Sequence, residues 1–133
     1  MPFLTPLIAE ELPRADWWRL HTPLVYRTRW GMEVVVPAGF ETDLASIPAR
    51  YRQYFSVNGL HRRAAVLHDY LYHHRIGTRA SADALFYEAM ADLGVPYLER
   101  TVMWAAVRVG GWVAWRRTNN TNQGEHHAPH LDP

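Results

Sequence analysis

The sequence predicts an α+β fold in which a small antiparallel β-sheet from the N-terminal third packs against three main α-helices. Hydrophobic residues make up 48% of the 133-residue chain, which is enough to build one core. β-Branched and aromatic residues cluster in short early segments, whereas apolar residues recur at helical spacing in three later ones. We therefore expect one globular domain over residues 1–117 and a polar C-terminal tail over residues 118–133.

The amino-acid composition bears on which classes of protein this chain can belong to. Fourteen basic residues against thirteen acidic ones give a formal charge of +1, so there is no strong signal for nucleic acid binding. The chain has no cysteine, which excludes disulfides and thiolate metal sites. The longest apolar run, residues 102–115, is short for a transmembrane segment and contains Arg108. Acids follow the first apolar residues, so no signal peptide is predicted.

The early segments are typical of strands and loops. An extended lead-in with an edge strand near residues 4–10 is expected first. Residues 24–30 and 32–37 then form a β-hairpin around Gly31, because both are rich in β-branched and aromatic residues. A loop over residues 37–48 follows, with Asp43 and Ser46 as possible caps of a short helix at residues 47–55.

Residues 61–75 form the predicted central helix and concentrate histidine, aspartate and tyrosine. At about 100° per residue, His61, His68 and Tyr72 share one stripe, and we expect it to face a cleft beside a packed apolar stripe. Imidazole, carboxylate and phenol are common acid–base and metal-binding groups. The simpler interpretation of His68 and Asp69 is a pair at the surface or the edge of the core.

The second helix is predicted over residues 80–93, starting at Thr78 or Ser81 and ending before Gly94. The short connection predicts antiparallel packing on the central helix. Asp83 would then lie within reach of Tyr72 or Asp69, unless it is only a favourable charge at a helix start.

The last helix, from residue 96 or 97 to 117, is nearly apolar all round, as a buried or partner-facing helix would be. We expect Trp104, Trp112 or Trp115 to pack against the central helix, and Trp104→Ala to cost about 3–5 kcal/mol. Glycines at 110 and 111 predict a close helix approach or a bend.

Three motifs together resemble domain-of-unknown-function family 1353, small proteins common in phage and prophage genomes. They are Thr-Asp-Leu-Ala-Ser-Ile-Pro at 42–48, Ala-Ala-Val-Leu-His-Asp-Tyr-Leu-Tyr at 64–72 and Ala-Asp-Ala-Leu-Phe at 82–86. The resemblance runs from about residue 37 to 115 and implies a phage or prophage origin, with the protein in the host cytoplasm or the virion. It implies no activity. The motif residues that it singles out are Asp43, Ser46, His68, Asp69 and Asp83.

Residues 68–72 also resemble the His-Asp-x-x-Tyr motif of phospholipases A2, where the histidine activates water and the aspartate holds calcium. The chain lacks the cysteines and the glycine-rich calcium loop of those enzymes. The similarity therefore suggests only how these side chains could react, by analogy with those enzymes.

The first functional hypothesis is a metal-assisted hydrolase acting on a cell-envelope component. Its metal ligands would come from Asp43, His68, Asp69 and Asp83, with zinc ahead of calcium or manganese, and its catalytic groups from His68, Asp69 and His61. In such a site, the carboxylates of Asp43 and of Asp69 or Asp83 should lie roughly 3–5 Å from the His68 ring.

The second hypothesis is a virion or tail-associated structural protein whose His/Asp groups form a buried polar network. Its Trp-rich last helix and its termini would contact other phage proteins. An intracellular antagonist of host defence that binds a small ligand also fits the size of the chain, but no residue pattern points to it.

Overall fold

The computed structural model describes residues 2–14, 17–43 and 61–116. Within these ranges, short strands occupy the N-terminal third and helices follow, so the predicted α+β class is confirmed. The strands are β1 (Ala9–Glu11), β2 (Trp18–Leu20), β3 (Leu24–Arg27), β4 (Glu33–Val36) and β5 (Glu41–Thr42); the helices are α1 (Arg62–His73), α2 (Arg79–Asp92) and α3 (Tyr97–Gly110). Residues 112–116 are also helical. Ser46, the predicted helix at 47–55 and the tail lie outside the described ranges.

The strands form two small antiparallel sheets. One has the order β1-β2-β5, and the other is the β3-β4 hairpin, in which Leu24 lies opposite Val36. The predicted hairpin is thus confirmed. Gly31 in its turn has a φ of 84°, a left-handed value that glycine adopts without a steric cost. The expected edge strand near residues 4–10 is observed slightly later, as β1, and an isolated bridge joins Phe3 to Tyr26 beside the hairpin.

Helix α1 lies at the centre of the core. It contacts α2, β3 and β5, and α2 in turn contacts α3. The stripe that was expected to face a cleft is buried, with exposed fractions of 2% for His61, 0% for His68 and 1% for Tyr72. The physical reason is that α2 covers His68 and Tyr72, with the ring of Phe86 4.7 Å from that of His68, while His61 lies beside Glu99 of α3.

Thr78, one of the two predicted starts of helix α2, is its N-cap, and the structure adds a capping box there. The Thr78 hydroxyl accepts a hydrogen bond from the Ser81 backbone N–H at 3.0 Å, and the Ser81 hydroxyl accepts one from the Thr78 N–H at 2.9 Å. The contacts between α1 and α2 run in opposite chain order, from His68 with Phe86 to Tyr72 with Asp83. The two helices are therefore antiparallel, as expected.

Trp115 is the tryptophan that packs against α1, with its ring 5.1 Å from that of Tyr72 in an edge-on arrangement. Trp104 and Trp112 are 38% and 48% exposed. Because Trp104 is exposed whereas Trp115 is partly buried, we expect Trp104→Ala to cost less than the about 3–5 kcal/mol predicted from the sequence. The predicted close approach near the glycines is confirmed at Gly111, where an added Cβ would lie 2.6 Å from the Tyr72 hydroxyl. None of the described helices combines the length and apolar character of a membrane span.

Candidate functional site: a buried carboxylate shared by three helices

In the described part of the chain, a dense polar site is built around Asp83, in the second turn of α2. One carboxylate oxygen, Oδ1, accepts hydrogen bonds from His68 Nε2 at 2.7 Å and from the Tyr72 hydroxyl at 2.6 Å. The other, Oδ2, accepts one from a guanidinium N–H of Arg108 at 2.8 Å. His68 and Tyr72 stand four residues apart on α1, so they reach the same carboxylate. Together with Arg79, we call these residues the Asp83 cluster.

Arg79 connects the cluster to the end of α3. Its guanidinium donates to the carbonyl oxygens of Val107 at 3.2 Å and of Arg108 at 2.9 Å, and lies 4.0 Å from Asp83 Oδ2. The Val107 carbonyl also accepts a hydrogen bond from the Gly111 N–H at 2.8 Å, so Arg79 adds a second donor to it. The first residue of α2 therefore holds the C-terminal turn of α3.

The protonation states in the cluster follow from its geometry. Burial raises the pKa of Asp83, but the hydrogen bonds from His68, Tyr72 and Arg108 outweigh this effect and leave the pKa below its ordinary value. Asp83 is therefore ionised at neutral pH. An ionised carboxylate only accepts hydrogen bonds, so Nε2 of His68 carries the proton. Burial and the bond to Asp83 raise the pKa of Tyr72 far above 10, so its hydroxyl stays protonated.

Aromatic rings enclose the polar centre. The His68 ring lies 4.2 Å from the ring of Tyr72 and 4.7 Å from that of Phe86. The ring of Trp115 contacts Tyr72 edge-on at 5.1 Å, and the guanidinium of Arg75 lies 4.7 Å from the centre of the Trp115 ring. The exposed fractions of His68 and Asp83 are both 0%. Electrostatic interactions in such a site are strengthened because water does not screen them.

The neighbouring Asp69 belongs to a different contact. Its carboxylate accepts a hydrogen bond from the Thr42 hydroxyl at 2.5 Å, which joins α1 to β5. Asp69 follows His68 directly and so points about 100° away around the helix. Asp43 is half-buried next to Thr42.

His61, at the start of α1, lies 3.9 Å from the carboxylate of Glu99 on α3. Burial lowers the pKa of His61, and the charge of Glu99 offsets part of this effect. His61 is therefore placed beside α3 and away from the Asp83 carboxylate.

Of the residues that the sequence predicts for a site, the structure joins His68 and Asp83 by a hydrogen bond of 2.7 Å. Asp69 is directed to Thr42 and His61 to Glu99. In the ranges that the structure describes, no three His, Asp or Glu side chains are grouped so that they could hold a metal ion. Sequence reasoning missed the two arginines of the cluster. For Arg108, the available signal was a charged residue inside an otherwise apolar helix.

Two surface grooves lie elsewhere. One, of about 600 Å³, runs between the hairpin turn, α2 and α3 and includes Trp30, Tyr97 and Trp104. The other, of about 250 Å³, lies at Arg27, Glu88 and Asp92. Neither groove is lined by His68 or Asp83, so neither leads to the buried cluster.

Fold and site together define a small α+β protein in which α1, α2 and α3 share one buried carboxylate. The family model described as "Protein of unknown function (DUF1353)" matches residues 18–107, more than half of the chain, and the chain belongs to this family. The match includes every member of the Asp83 cluster except Arg108 and ends one residue before it. Comparison with curated proteins and with solved structures finds no match.

Proposed function

We propose that the protein is a non-catalytic structural component, associated with a phage virion or tail, in which the Asp83 cluster holds α1, α2 and α3 in one arrangement. One observation carries this proposal: both oxygens of the fully buried Asp83 carboxylate accept hydrogen bonds from the protein's own side chains. A general base or a catalytic metal ligand needs a lone pair or an open position directed at a reactant. The phage setting comes from the family resemblance.

Electrostatics argue against a divalent metal at Asp83. Guanidinium groups of Arg108 and Arg79 already lie 2.8 Å and 4.0 Å from Oδ2. Two like unit charges about 4 Å apart repel by roughly 4 kcal/mol at the effective dielectric constant near a protein surface, and a doubly charged ion repels more strongly. A metal-assisted hydrolase built on this carboxylate would require both arginines to move.

A structural role explains why each charged or polar group of the Asp83 cluster lies where it does. The cluster takes a donor from α1, the acceptor from α2 and a cation from α3. Removing one member of a buried ionic network leaves an uncompensated charge, which typically costs about 3–5 kcal/mol. Such a network favours one packing of the helices over alternatives in which the charge is unpaired.

The first test measures melting of the metal-free full-length protein with zinc, manganese or calcium at pH 7.5. His126, His127 and His130 should be replaced by alanine, because a histidine-rich segment binds such ions by itself. We expect no shift with any ion. A ligand at 100 times its Kd would stabilise by about 2.7 kcal/mol, which corresponds to several degrees. A shift of that size that disappears in His68→Ala would favour the hydrolase instead.

The second test compares Asp83→Asn with Glu33→Gln, a matched removal of an exposed carboxylate that pairs with Arg27. Asp83→Asn should lower the free energy of unfolding by at least about 3 kcal/mol, and Glu33→Gln by less than about 1 kcal/mol. Equal effects would contradict the structural role of the cluster.

The phage assignment needs its own measurement. Mass spectrometry of purified particles, induced from a host that carries the gene, should detect the chain at a constant ratio to the other particle proteins. Its absence from particles would remove the virion assignment and leave the buried network unaffected.

A further inference from the structure

Helix α3 carries an exposed apolar stripe that the rest of the described structure does not use. Leu98, Val102, Val109 and Trp112 are 74%, 44%, 76% and 48% exposed, and Ala105 is exposed between them. These five residues, which we call the α3 stripe, are spaced four, three, four and three apart. That spacing is the heptad repeat of helices that pack against another helix.

The two sides of α3 have different roles. Met103, Val107 and Gly111 are buried against the core and lie opposite the stripe. The stripe is therefore not a poorly packed part of the core. Single exposed apolar residues are common, but a continuous apolar row along a helix marks an interaction surface.

The stripe continues beyond the formal end of α3. Gly111 has right-handed helical angles of φ −71° and ψ −16°, and the Trp115 N–H donates to the Gly111 carbonyl at 3.1 Å. Arg116 follows Trp112 by four residues, and its guanidinium lies 5.4 Å from the centre of the Trp112 ring. From Leu98 to Arg116 the helical surface extends about 28 Å.

We infer that the α3 stripe binds the same stripe of a second copy of this chain, with the two helices antiparallel. The charges at its ends favour this occupant, because Glu99 flanks the stripe at its start and Arg116 ends it. In an antiparallel pair, each Glu99 lies near Arg116 of the partner subunit. A parallel pair would bring like charges together and would align the helix dipoles unfavourably.

The residue sizes also fit a two-fold antiparallel pair. Aligning the heptads places Ala105 opposite Val109 of the partner subunit, and Val102 opposite Trp112 of the partner subunit. In both of these pairs a smaller residue packs opposite a larger one, which lets the two helices approach closely. The inference goes beyond the structural role proposed above and stands without it, because it rests on the exposed side of α3 and not on the Asp83 cluster.

Sedimentation of the full-length protein over a range of micromolar concentrations tests the association. We expect a reversible monomer–dimer equilibrium. Val109→Glu should raise the Kd of the dimer by about 100-fold or more, since two charges would be buried without partners. Met32→Glu is the matched control, because Met32 is 67% exposed in the hairpin. It should leave the Kd unchanged.

Val109 is 76% exposed, so its substitution should leave the circular dichroism of the monomer unchanged. A protein that stays monomeric at every concentration, or a dimer that Val109→Glu does not weaken, would overturn the inference.

Disulfide trapping tests the orientation, since the natural chain has no cysteine. A disulfide needs Cβ atoms about 3.5–4.5 Å apart. In an antiparallel pair, the two copies of residue 98 lie at opposite ends, so Leu98→Cys should not cross-link under mild oxidation. When the Ala105→Cys and Val109→Cys proteins are mixed, a disulfide should form between residue 105 of one copy and residue 109 of the other. Efficient cross-linking of Leu98→Cys would show a parallel dimer and overturn the antiparallel arrangement.

Discussion

Replacing Gly111 by alanine should destabilise the protein through the Asp83 cluster. The new Cβ would lie 2.4 Å from the Val107 carbonyl oxygen, 2.6 Å from the Tyr72 hydroxyl and 3.2 Å from Tyr72 Cε2. Carbon atoms do not approach oxygen this closely, so a neighbour has to move. The Tyr72 hydroxyl is held 2.6 Å from Asp83, and its retreat would break that hydrogen bond.

The size of the effect follows from three contributions. Losing a hydrogen bond to a charged group costs about 1.5–3 kcal/mol. Overpacking a filled site costs about 1–3 kcal/mol. Alanine is more favourable than glycine in a helix by about 1 kcal/mol, which offsets part of the loss. Gly111→Ala should therefore lower the free energy of unfolding by about 2–5 kcal/mol.

Urea denaturation of Gly111→Ala, Tyr72→Phe and the double variant would test this mechanism. Tyr72→Phe removes the hydroxyl that the new Cβ meets, although the contact with the Val107 carbonyl remains. In that background, Gly111→Ala should cost less by at least about 1 kcal/mol, the coupling expected of residues in contact. Additive effects, or a Gly111→Ala protein as stable as the parent, would refute the argument.

Three further predictions concern other parts of the fold. Burial lowers the pKa of His61 below its ordinary value of 6.5, so the unfolded chain binds more protons and stability should fall as pH drops below about 6.5. His61→Gln should reduce this fall in Tm between pH 7.5 and 5, whereas replacing the exposed His73 should not. In urea denaturation, Trp115→Ala should lower the free energy of unfolding by about 2–3 kcal/mol, more than Trp104→Ala does, because Trp115 packs against Tyr72. Equal losses for the two variants would contradict this packing. Thr78→Ala removes half of the capping box and should lower the stability measured by thermal unfolding by about 1 kcal/mol. An unchanged stability would show that the cap contributes little.

Local patterns predicted most of the described elements. The hairpin around Gly31 and the start of α2 at Thr78 or Ser81 depend on interactions between residues close in the chain, so the local sequence predicted them. The proximity of Asp83 to the central helix was also predictable, because a short connection forces α2 back along α1. The family resemblance rested on three ordered motifs, and the family match confirms it.

Helical periodicity in the sequence predicts which residues share a helix face, but the packing of the helices sets what covers that face. The stripe with His61, His68 and Tyr72 has the same period whether it faces water or another helix. Here α2 packs over His68 and Tyr72 and turns the expected cleft into a buried cluster. Arg108 reaches Asp83 from a helix 25 residues further along the chain. Side-chain periodicity describes one helix at a time, whereas a contact of this kind depends on how helices pack in three dimensions.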